Sequence, residues 1–507
     1  MLPPRTSYLV LVLLLLAFAP AWAQEEGGFT DLDNELEFVF ERQITFGNGT
    51  TPLWLNANRY GLSSVDSDNG YLAFGVEGSK TLGNGNSWFL NFGAEIAVAY
   101  NNTSSFIIQQ LYGQLQFRKL ALTIGSKERP MNLKNQELSS GSFTLGINSR
   151  PIPEVTLETP EYFRLLRGND WVKLKFRFGY GVTTDWNWQE DFTNKQSRYT
   201  GRTWVHTQAG FLRVGDESKF PLVFEGGLEW ASEFGGTAYN VSYSGGTIDK
   251  LNMSESLSSF FKSIYGGGSD PTDMGYDNAE GNTLGSWLLR LSYKFPFNTR
   301  VSLYYDHFFE DHSQLFWEYG WKDGLYGIEV ELPRNPVVSN VVYEYVTTTD
   351  QTGPIYHDAT SAVSDQISAV DNYYNHTIYT GWQHWGQAIG NPLFTSPLYN
   401  SDGRITFTNN RYKAHHIGLA GDPIKELHYR LLYTYSTNWG TYNNPFADKK
   451  YSTSFLAELT YSPTRLGHWD VSGTSLRLGF GFDRGELLGD NNAFQVTLIS
   501  RGLLTNL

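Results

Sequence analysis

The chain has 507 residues, a formal net charge of −14 at pH 7, 16% aromatic residues, 51 glycines and no cysteine. The missing cysteines exclude disulfides, thiolate metal sites and a lipoprotein anchor. The negative charge argues against a nucleic-acid partner and asks any polyanionic partner for a local basic site.

Residues 1–23 read as a cleaved signal peptide. Arg5 precedes an apolar run from Tyr8 to Ala19, and Pro20 with Ala21-Trp22-Ala23 supplies the small-residue cleavage signal. The run is shorter than the roughly 20 residues that cross a bilayer as a helix, and no later stretch is apolar for long enough to do so. A mature chain from Gln24 then begins with 24–51, a short periplasmic segment. Its "LDNELEFVFERQITF" reads as an extended stretch or at most one short helix.

From residue 52 the chain alternates apolar and polar side chains, the pattern of a barrel strand with one face to lipid and one to the lumen. In "WFLNFGAEIAVAY" (88–100), every second residue from Trp88 to Tyr100 falls on one face, with aromatics at both ends. In "WVKLKFRFGYGV" (171–182), Leu174, Phe176 and Phe178 face one way and Lys173, Lys175 and Arg177 the other. A cation facing lipid near the bilayer midplane costs roughly 2–4 kcal/mol, so this basic ladder lines the lumen. Similar runs at 53–59, 71–80, 106–118, 120–127, 143–150, 204–214, 221–232, 284–295, 299–308, 325–332, 337–349, 411–420, 426–439, 451–463, 473–484 and 492–501 bring the count to eighteen. Short connectors ("LGNGN", "GDESK", "PFN", "LPRNP", "GDPIK") alternate with long ones near 183–203, 233–283, 309–324, 350–410 and 440–450. Outer-membrane barrels sort their loops in this way, with short periplasmic turns and long outer loops. The fold expected is all-β: a transmembrane outer-membrane barrel of about eighteen antiparallel strands, spanning 52–507.

One stretch breaks the alternation. By strand parity, 151–168 falls on the periplasmic side and is too long for a turn. Its prolines, Pro151, Pro153 and Pro160, stiffen an extended path. Arg150, Tyr162 and several apolar neighbours suit a segment folded into the lumen, which would be partly filled by such insertions.

Five blocks now carry a resemblance: "PLWLNANRYGLSS" (52–64), "ELSSGSFTLGINSRPIPEVTLETPEYF" (137–163), "DHFFEDHSQLFWEYGWKDGLYGI" (306–328), "VVYEYVTTTDQTGP" (341–354), and "NNRYKAHHIGLAG" (409–421) with the "YRLLYTYSTNWGTY" that follows. In this order they resemble the Wzi-type capsule-assembly family of outer-membrane proteins. The resemblance implies an eighteen-stranded barrel acting as a non-enzymatic lectin that holds capsular polysaccharide at the cell surface. Better-known members carry an N-terminal helical bundle, for which 24–51 leaves no room. The chain ends "LISRGLLTNL" without a terminal Phe, so Phe494, Val496 and Leu498 are expected to carry the signal for the barrel-insertion machinery.

The residues offer little for catalysis. Asp306 and His307 are strand neighbours and point to opposite faces; Asp311 and His312 lie in an outer loop, and no G-x-S-x-G is present. His415 and His416 fail as a metal pair for the same reason of facing. Asp270, Asp273 and Asp277 form a Gly-rich acidic loop whose spacing does not match an EF-hand. No metal or other cofactor is expected. Sugar rings, in contrast, bind flat aromatic faces with polar side chains beside them, and the outer loops supply these. The candidates for polysaccharide contact are Trp317, Tyr319, Trp321 and Lys322 in one loop and Trp382, His384, Trp385 and Arg404 in another; the competing reading is the aromatic girdle at the outer interface. Partners expected are capsular or extracellular polysaccharide and outer-membrane lipid or lipopolysaccharide. The rivals to the lectin are a passive porin selecting solutes by the basic ladder, and a barrel enzyme acting on envelope lipid or glycan.

Overall fold

The structure, a computed structural model, describes residues 35–83, 87–165, 168–243, 246–266, 281–310, 321–333, 335–351 and 371–506. Signal-peptide residues 1–23, Trp317, Tyr319, Asp311, His312 and the acidic loop Asp270–Asp277 lie outside them. Among the described residues, eighteen antiparallel strands close into one barrel. They are β1 (Glu35–Asn48), β2 (Asn69–Leu82), β3 (Trp88–Tyr100), β4 (Phe106–Phe117), β5 (Leu120–Ser126), β6 (Glu154–Glu158), β7 (Val172–Val182), β8 (Trp204–Val214), β9 (Leu222–Phe234), β10 (Asn282–Lys294), β11 (Arg300–Glu310), β12 (Gly324–Glu331), β13 (Asn340–Thr347), β14 (Arg411–Ile424), β15 (Leu427–Gly440), β16 (Pro445–Tyr461), β17 (Thr474–Gly485) and β18 (Asn491–Asn506). The barrel closes where β1 pairs with β18, from Glu35↔Asn506 to Asn48↔Asn492.

The count agrees with the alternation, but two of its members differ. Residues 53–59 are not a strand: Leu53–Asn56 form one helical turn, α1, inside the barrel. Leu53, Trp54 and Leu55 are all buried, whereas a barrel strand would send every second one to lipid. The true first strand is β1, drawn from the segment read as periplasmic. Residues 143–150 are likewise buried in the lumen, and β6 takes their place, with Val155 and Leu157 facing lipid and Glu154 and Thr156 buried inside. Beyond Glu158 the ladder breaks at Pro160, which has no N–H to give, and resumes on β7 at Phe163–Arg164.

Both ends of the barrel's chain, at Glu35 and Asn506, lie on the side of the short turns. The long connections 49–68, 127–153 and 183–203 lie on the other, the outer, side, where β9 also ends and β10 begins, and where β13 ends and β14 begins. The lumen insert therefore comes from the outer side, as 127–153, not from the periplasmic side as 151–168. Three outer segments, 53–57, 138–145 and 373–407, share one core with lumen-facing residues of the outer half of the barrel, including Val205, Leu284, Phe308, Val346, Tyr412 and Leu456. That plug fills the outer half. The inner half is a vestibule of about 1410 Å³ lined by charged side chains of both signs, among them Glu41, Glu77, Glu95, Arg430, Arg477 and Arg501.

On the lipid face an aromatic row crosses β11 to β15 in register: Tyr305, Tyr326, Tyr345, His415 and Tyr435. The next row inward is Leu303, Ile328, Tyr343, Ile417 and Tyr433. This is the outer interfacial girdle. Further round, on the lipid-facing side of β7 to β10, the wall turns polar and a strap covers it. Residues 254–266, with a short helix Leu257–Lys262 capped by Ser256, accept hydrogen bonds from Tyr180 Oη at Phe260 O (2.6 Å), Gln208 Nε2 at Ile264 O (2.8 Å) and Trp230 Nε1 at Ser263 O (3.1 Å). In hydrocarbon such groups must find protein partners, and the strap supplies them.

Candidate functional site

The plug is held by carboxylates that point inward from the strands. Glu344 accepts from Ser139 Oγ (2.6 Å) and Ser140 N (2.7 Å), Glu229 from Asn132 Nδ2 (2.8 Å) and Leu145 N (3.2 Å), and Glu329 from Asn135 Nδ2 (2.8 Å). Asp483 accepts the Leu53 amide at 3.1 Å, and Asp306 is paired with the buried Lys134 at 3.1 Å. A plug with only short pieces of regular secondary structure leaves many amides without ladder partners. Buried carboxylates satisfy several of them with charge-assisted bonds.

At the outer end of the plug several loops meet around Arg150. Its guanidinium donates to Asn102 Oδ1 (3.0 Å) and Thr103 Oγ1 (2.7 Å) and lies 4.4 Å from the centre of the Trp385 ring. Burial pushes Arg150 down to about 9, against the pull of the Asp185 carboxylate. The Arg150 carbonyl can only accept, so His384 donates to it from Nδ1 (2.9 Å). The Thr184 amide can only donate, so Nε2 accepts from it (3.2 Å). That fixes a neutral imidazole, and burial pushes its pKa down accordingly. Asp185 Oδ2 gathers Gln189 Nε2 (3.0 Å), Gln383 Nε2 (3.3 Å) and the amide of Trp385 (3.0 Å). Because Asp185 also precedes the short helix Trp186–Phe192, it sets two indoles, Trp186 and Trp385, at one junction. Trp186 is 41% exposed and Trp385 is half-buried. Beside this helix Tyr199 and Tyr239 stack at 4.6 Å, with Lys250 Nζ 5.9 Å from the Tyr239 ring.

The expected contact residues divide by burial. Trp382 and His384 are fully buried. Trp382 donates from Nε1 to Thr144 O (2.8 Å) in the plug core, so neither side chain presents a face to a polymer. Trp321 is 64% exposed, but its carbonyl receives the Tyr305 and Tyr326 hydroxyls (2.6 and 2.9 Å), which places it on the girdle. Lys322 pairs with Asp350 at 3.5 Å. Arg404 is an exposed loop residue 3.7 Å from Asp402. In the ladder, Arg177 bonds Glu154, Lys175 donates to Asn132 Oδ1 (3.2 Å), and Lys173 lies opposite Arg164 and Arg213 in the strand register. Arg150 is plug core and Tyr162 packs in the lumen against Ala209, Phe211 and Leu288; Pro151 and Pro153 lead into β6, and Pro160 is exposed at the inner turn. Asp306 and His307 lie on opposite faces, Asp306 toward the plug and His307 Nδ1 at 3.0 Å from Asp323 O. Among the described residues no cluster of side chains is arranged to hold a metal. The sequence reading missed Asp185 and Trp186. Their signal was two tryptophans two residues apart in a polar loop, "DWNWQEDF".

A family model described as capsule assembly protein Wzi matches residues 54–396. Among solved structures, the chain is similar to Wzi of Escherichia coli, an outer membrane protein involved in group 1 capsule assembly and a carbohydrate-binding β-barrel. The TM-score is 0.54 at 13% identity, covering 91% of this chain and 83% of that one. It is also similar to the Pseudomonas aeruginosa proteins OccK5 (OpdH), at 9% identity and TM-score 0.48 over 94% of this chain and all of that one, and OccK2 (OpdF), at 9% and 0.48 over 93% and 98%. Identities this low speak to the fold alone. No curated protein sequence matches the chain.

Proposed function

The chain belongs to the Wzi capsule assembly family, and from that premise we propose that it works in the outer membrane of a Gram-negative cell as a lectin-like anchor, holding capsular polysaccharide or exopolysaccharide at the surface without acting on it chemically. The observation that carries this reading is the plug. Outer loops that would line the mouth of a pore are instead built into one core with the barrel wall, which counts against a passive channel and leaves a fixed platform above. On that platform Trp186 and Trp385 offer partly exposed indole faces. Each contact with a sugar is weak. A repeating polymer engages many copies of the protein at once, so avidity exceeds any single affinity. Export by the segment ending at Ala23 and insertion guided by β18 belong to the same reading.

The test is to compare surface-bound with shed polysaccharide in a strain deleted for this protein and in its parent. Polymer still made but found in the medium supports attachment. Unchanged bound and shed fractions refute it.

A further inference from the structure

Between the insert and the wall of β6 to β8 lies a cavity of about 230 Å³. Leu145, Trp382 and Ile389 of the plug close it toward the outer platform. On the other side it runs into the inner vestibule, with which it shares Tyr60, Lys127, Glu128, Pro130 and Pro160. A solute therefore reaches it from the periplasmic side. Val205, Phe211, Trp382 and Ile389 give it apolar walls, and four cations line the rest: Lys127, Arg129, Lys175 and Arg177. Arg129 is engaged by Glu154 (3.4 Å), Glu158 (3.5 Å) and Thr156 Oγ1 (2.9 Å). The other three keep donors in hand. Arg177 bonds Glu154 through Nη2, but its buried Nε makes no hydrogen bond. Lys175 donates one, to Asn132 Oδ1 (3.2 Å). Among the described residues the Lys127 ammonium makes no hydrogen bond or ion pair and lies 4.7 Å from the centre of the Tyr112 ring, a contact that does not consume its N–H groups. The carboxylates on the cavity already have partners. Glu154 also accepts from Thr207 Oγ1 (2.8 Å), Glu158 from Thr123 Oγ1 (3.3 Å), and Glu128 from Gln109 Nε2 (2.6 Å). Glu77 acts on Lys127, and Glu225 and Glu229 on Lys175, at longer range. Arg150 reaches the same cavity, but its Nη2 is committed to Asn102 and Thr103.

We propose that this cavity binds a phosphate monoester with a body the size of one sugar ring, taken from the periplasm. Lys127, Lys175 and Arg177 hold the phosphate. Three cations with donors left match its three terminal oxygens, where a carboxylate would offer only two. Lys175 and Arg177 lie on one face of β7, one layer or about 7 Å apart, and Lys127 approaches from the start of the insert. The body lies against Phe211 and Trp382. A cavity of about 150 Å³ already holds a benzene ring, so this one has room for a sugar ring. Because the plug closes its outer end, the site holds its ligand and does not pass it on. It is separate from the platform around Trp385 and does not depend on the polymer reading.

The test titrates glucose 6-phosphate into the full purified barrel in detergent by calorimetry, with glucose, inorganic phosphate and glucuronate as controls. Losing one charge-assisted contact weakens binding about tenfold or more. Lys127→Gln and Lys175→Gln are therefore each expected to raise the Kd for the ester about tenfold, and together about 100-fold by the same scale. Ala209, buried on the cavity wall, gives a variant that touches no cation: Ala209→Leu narrows the cavity and should weaken the ester as well. Heat-modifiable gel migration confirms that each variant is folded. Equal binding of the ester by the parent and the double lysine variant overturns the proposal, as does a parent that does not bind it or an Ala209→Leu variant that binds it unchanged. Glucose held as tightly as the ester removes the phosphate contact, inorganic phosphate held as tightly removes the sugar-sized body, and glucuronate held as tightly removes the choice of phosphate; each of these also overturns it.

Discussion

Replacing Glu344 by alanine should release one segment of the plug and leave the barrel closed. The Glu344 carboxylate is fully buried and accepts three hydrogen bonds, from Ser139 Oγ (2.6 Å), Ser140 N (2.7 Å) and Tyr304 Oη (2.6 Å). Two of these hold the plug. Hydrogen bonds to a charged acceptor contribute about 1.5–3 kcal/mol each, giving roughly 3–6 kcal/mol for the pair by the same measure. Alanine also removes the cost of burying a carboxylate, which offsets part of the loss. The lower figure, about 3 kcal/mol, is the one to expect, and it corresponds to roughly 150-fold more frequent opening of residues 138–142. Hydrogen–deuterium exchange read by mass spectrometry reports this directly. Peptides over 138–142 should lose protection, while 52–58, held separately by Asp483, should not. Unchanged exchange at 138–142 refutes the latch, and an equal loss across all plug peptides shows that the residue supports the whole fold instead. Glu344→Gln keeps the shape but turns an amide group toward donors, and should fall between the two.

Gly418 tests the same contact from the wall: an added Cβ would stand 2.6 Å from Leu138 O and 2.7 Å from Leu138 Cβ, so Gly418→Val should lift the plug at a cost of about 1–3 kcal/mol and raise single-channel conductance over the parent's. Glu128, at the start of the insert, is pushed up to about 8 mainly by burial, with Glu95 adding to it. Its folded value lies above its unfolded one, so the folded state holds the extra proton between them, and stability present at low pH is lost as pH rises through about 8. Exchange at 127–130, corrected for intrinsic rate, should therefore rise between pH 6 and 9 in the parent and stay flat in Glu128→Gln; a flat parent profile refutes this. On the strap, Leu257, Phe261 and Tyr265 are exposed at four-residue spacing, which predicts a row lying in lipid. Since the chain has no cysteine, a nitroxide on Phe261→Cys should show high oxygen and low nickel-chelate accessibility in proteoliposomes, matching a label at Leu291 and opposite to one at Arg404.

The barrel was legible because a two-residue period writes itself into every strand, and because loop length sorts by side. β3 and β7 follow that pattern over their whole length. The two misplaced strands show the limit of the signal. In β1, Leu36, Phe38 and Phe40 alternate correctly, but Glu37, Glu41 and Arg42 make the stretch read as polar; in a barrel those inward carboxylates belong to the vestibule. Residues 53–59 and 143–150 read as apolar because they are buried on all sides, and burial inside a plug has no period. The site was harder still. The aromatic count of a loop does not say which rings lie beneath the platform and which lie on top.

That distinction follows from what long loops cost. Fixing one residue's backbone costs about 1–2 kcal/mol, so an ordered connection such as 371–410 must bury apolar area to offset it. Tyr373, Tyr374, Trp382, Phe394 and Phe407 are that foundation, buried against Phe143 and Phe308 from the insert and the wall. Trp385 lies three residues further on, half-buried over Arg150. The two tryptophans should therefore fail differently. Trp382→Ala removes a buried indole and its bond to Thr144 O, costs about 3–5 kcal/mol, and lowers polymer retention together with exchange protection across 143–145 and 388–394. Trp385→Ala, on the function proposed above, lowers retention with protection of those peptides intact. Loss of retention in both variants with the same loss of protection would place Trp385 in the foundation as well, and retention intact in Trp385→Ala would remove it from the contact surface.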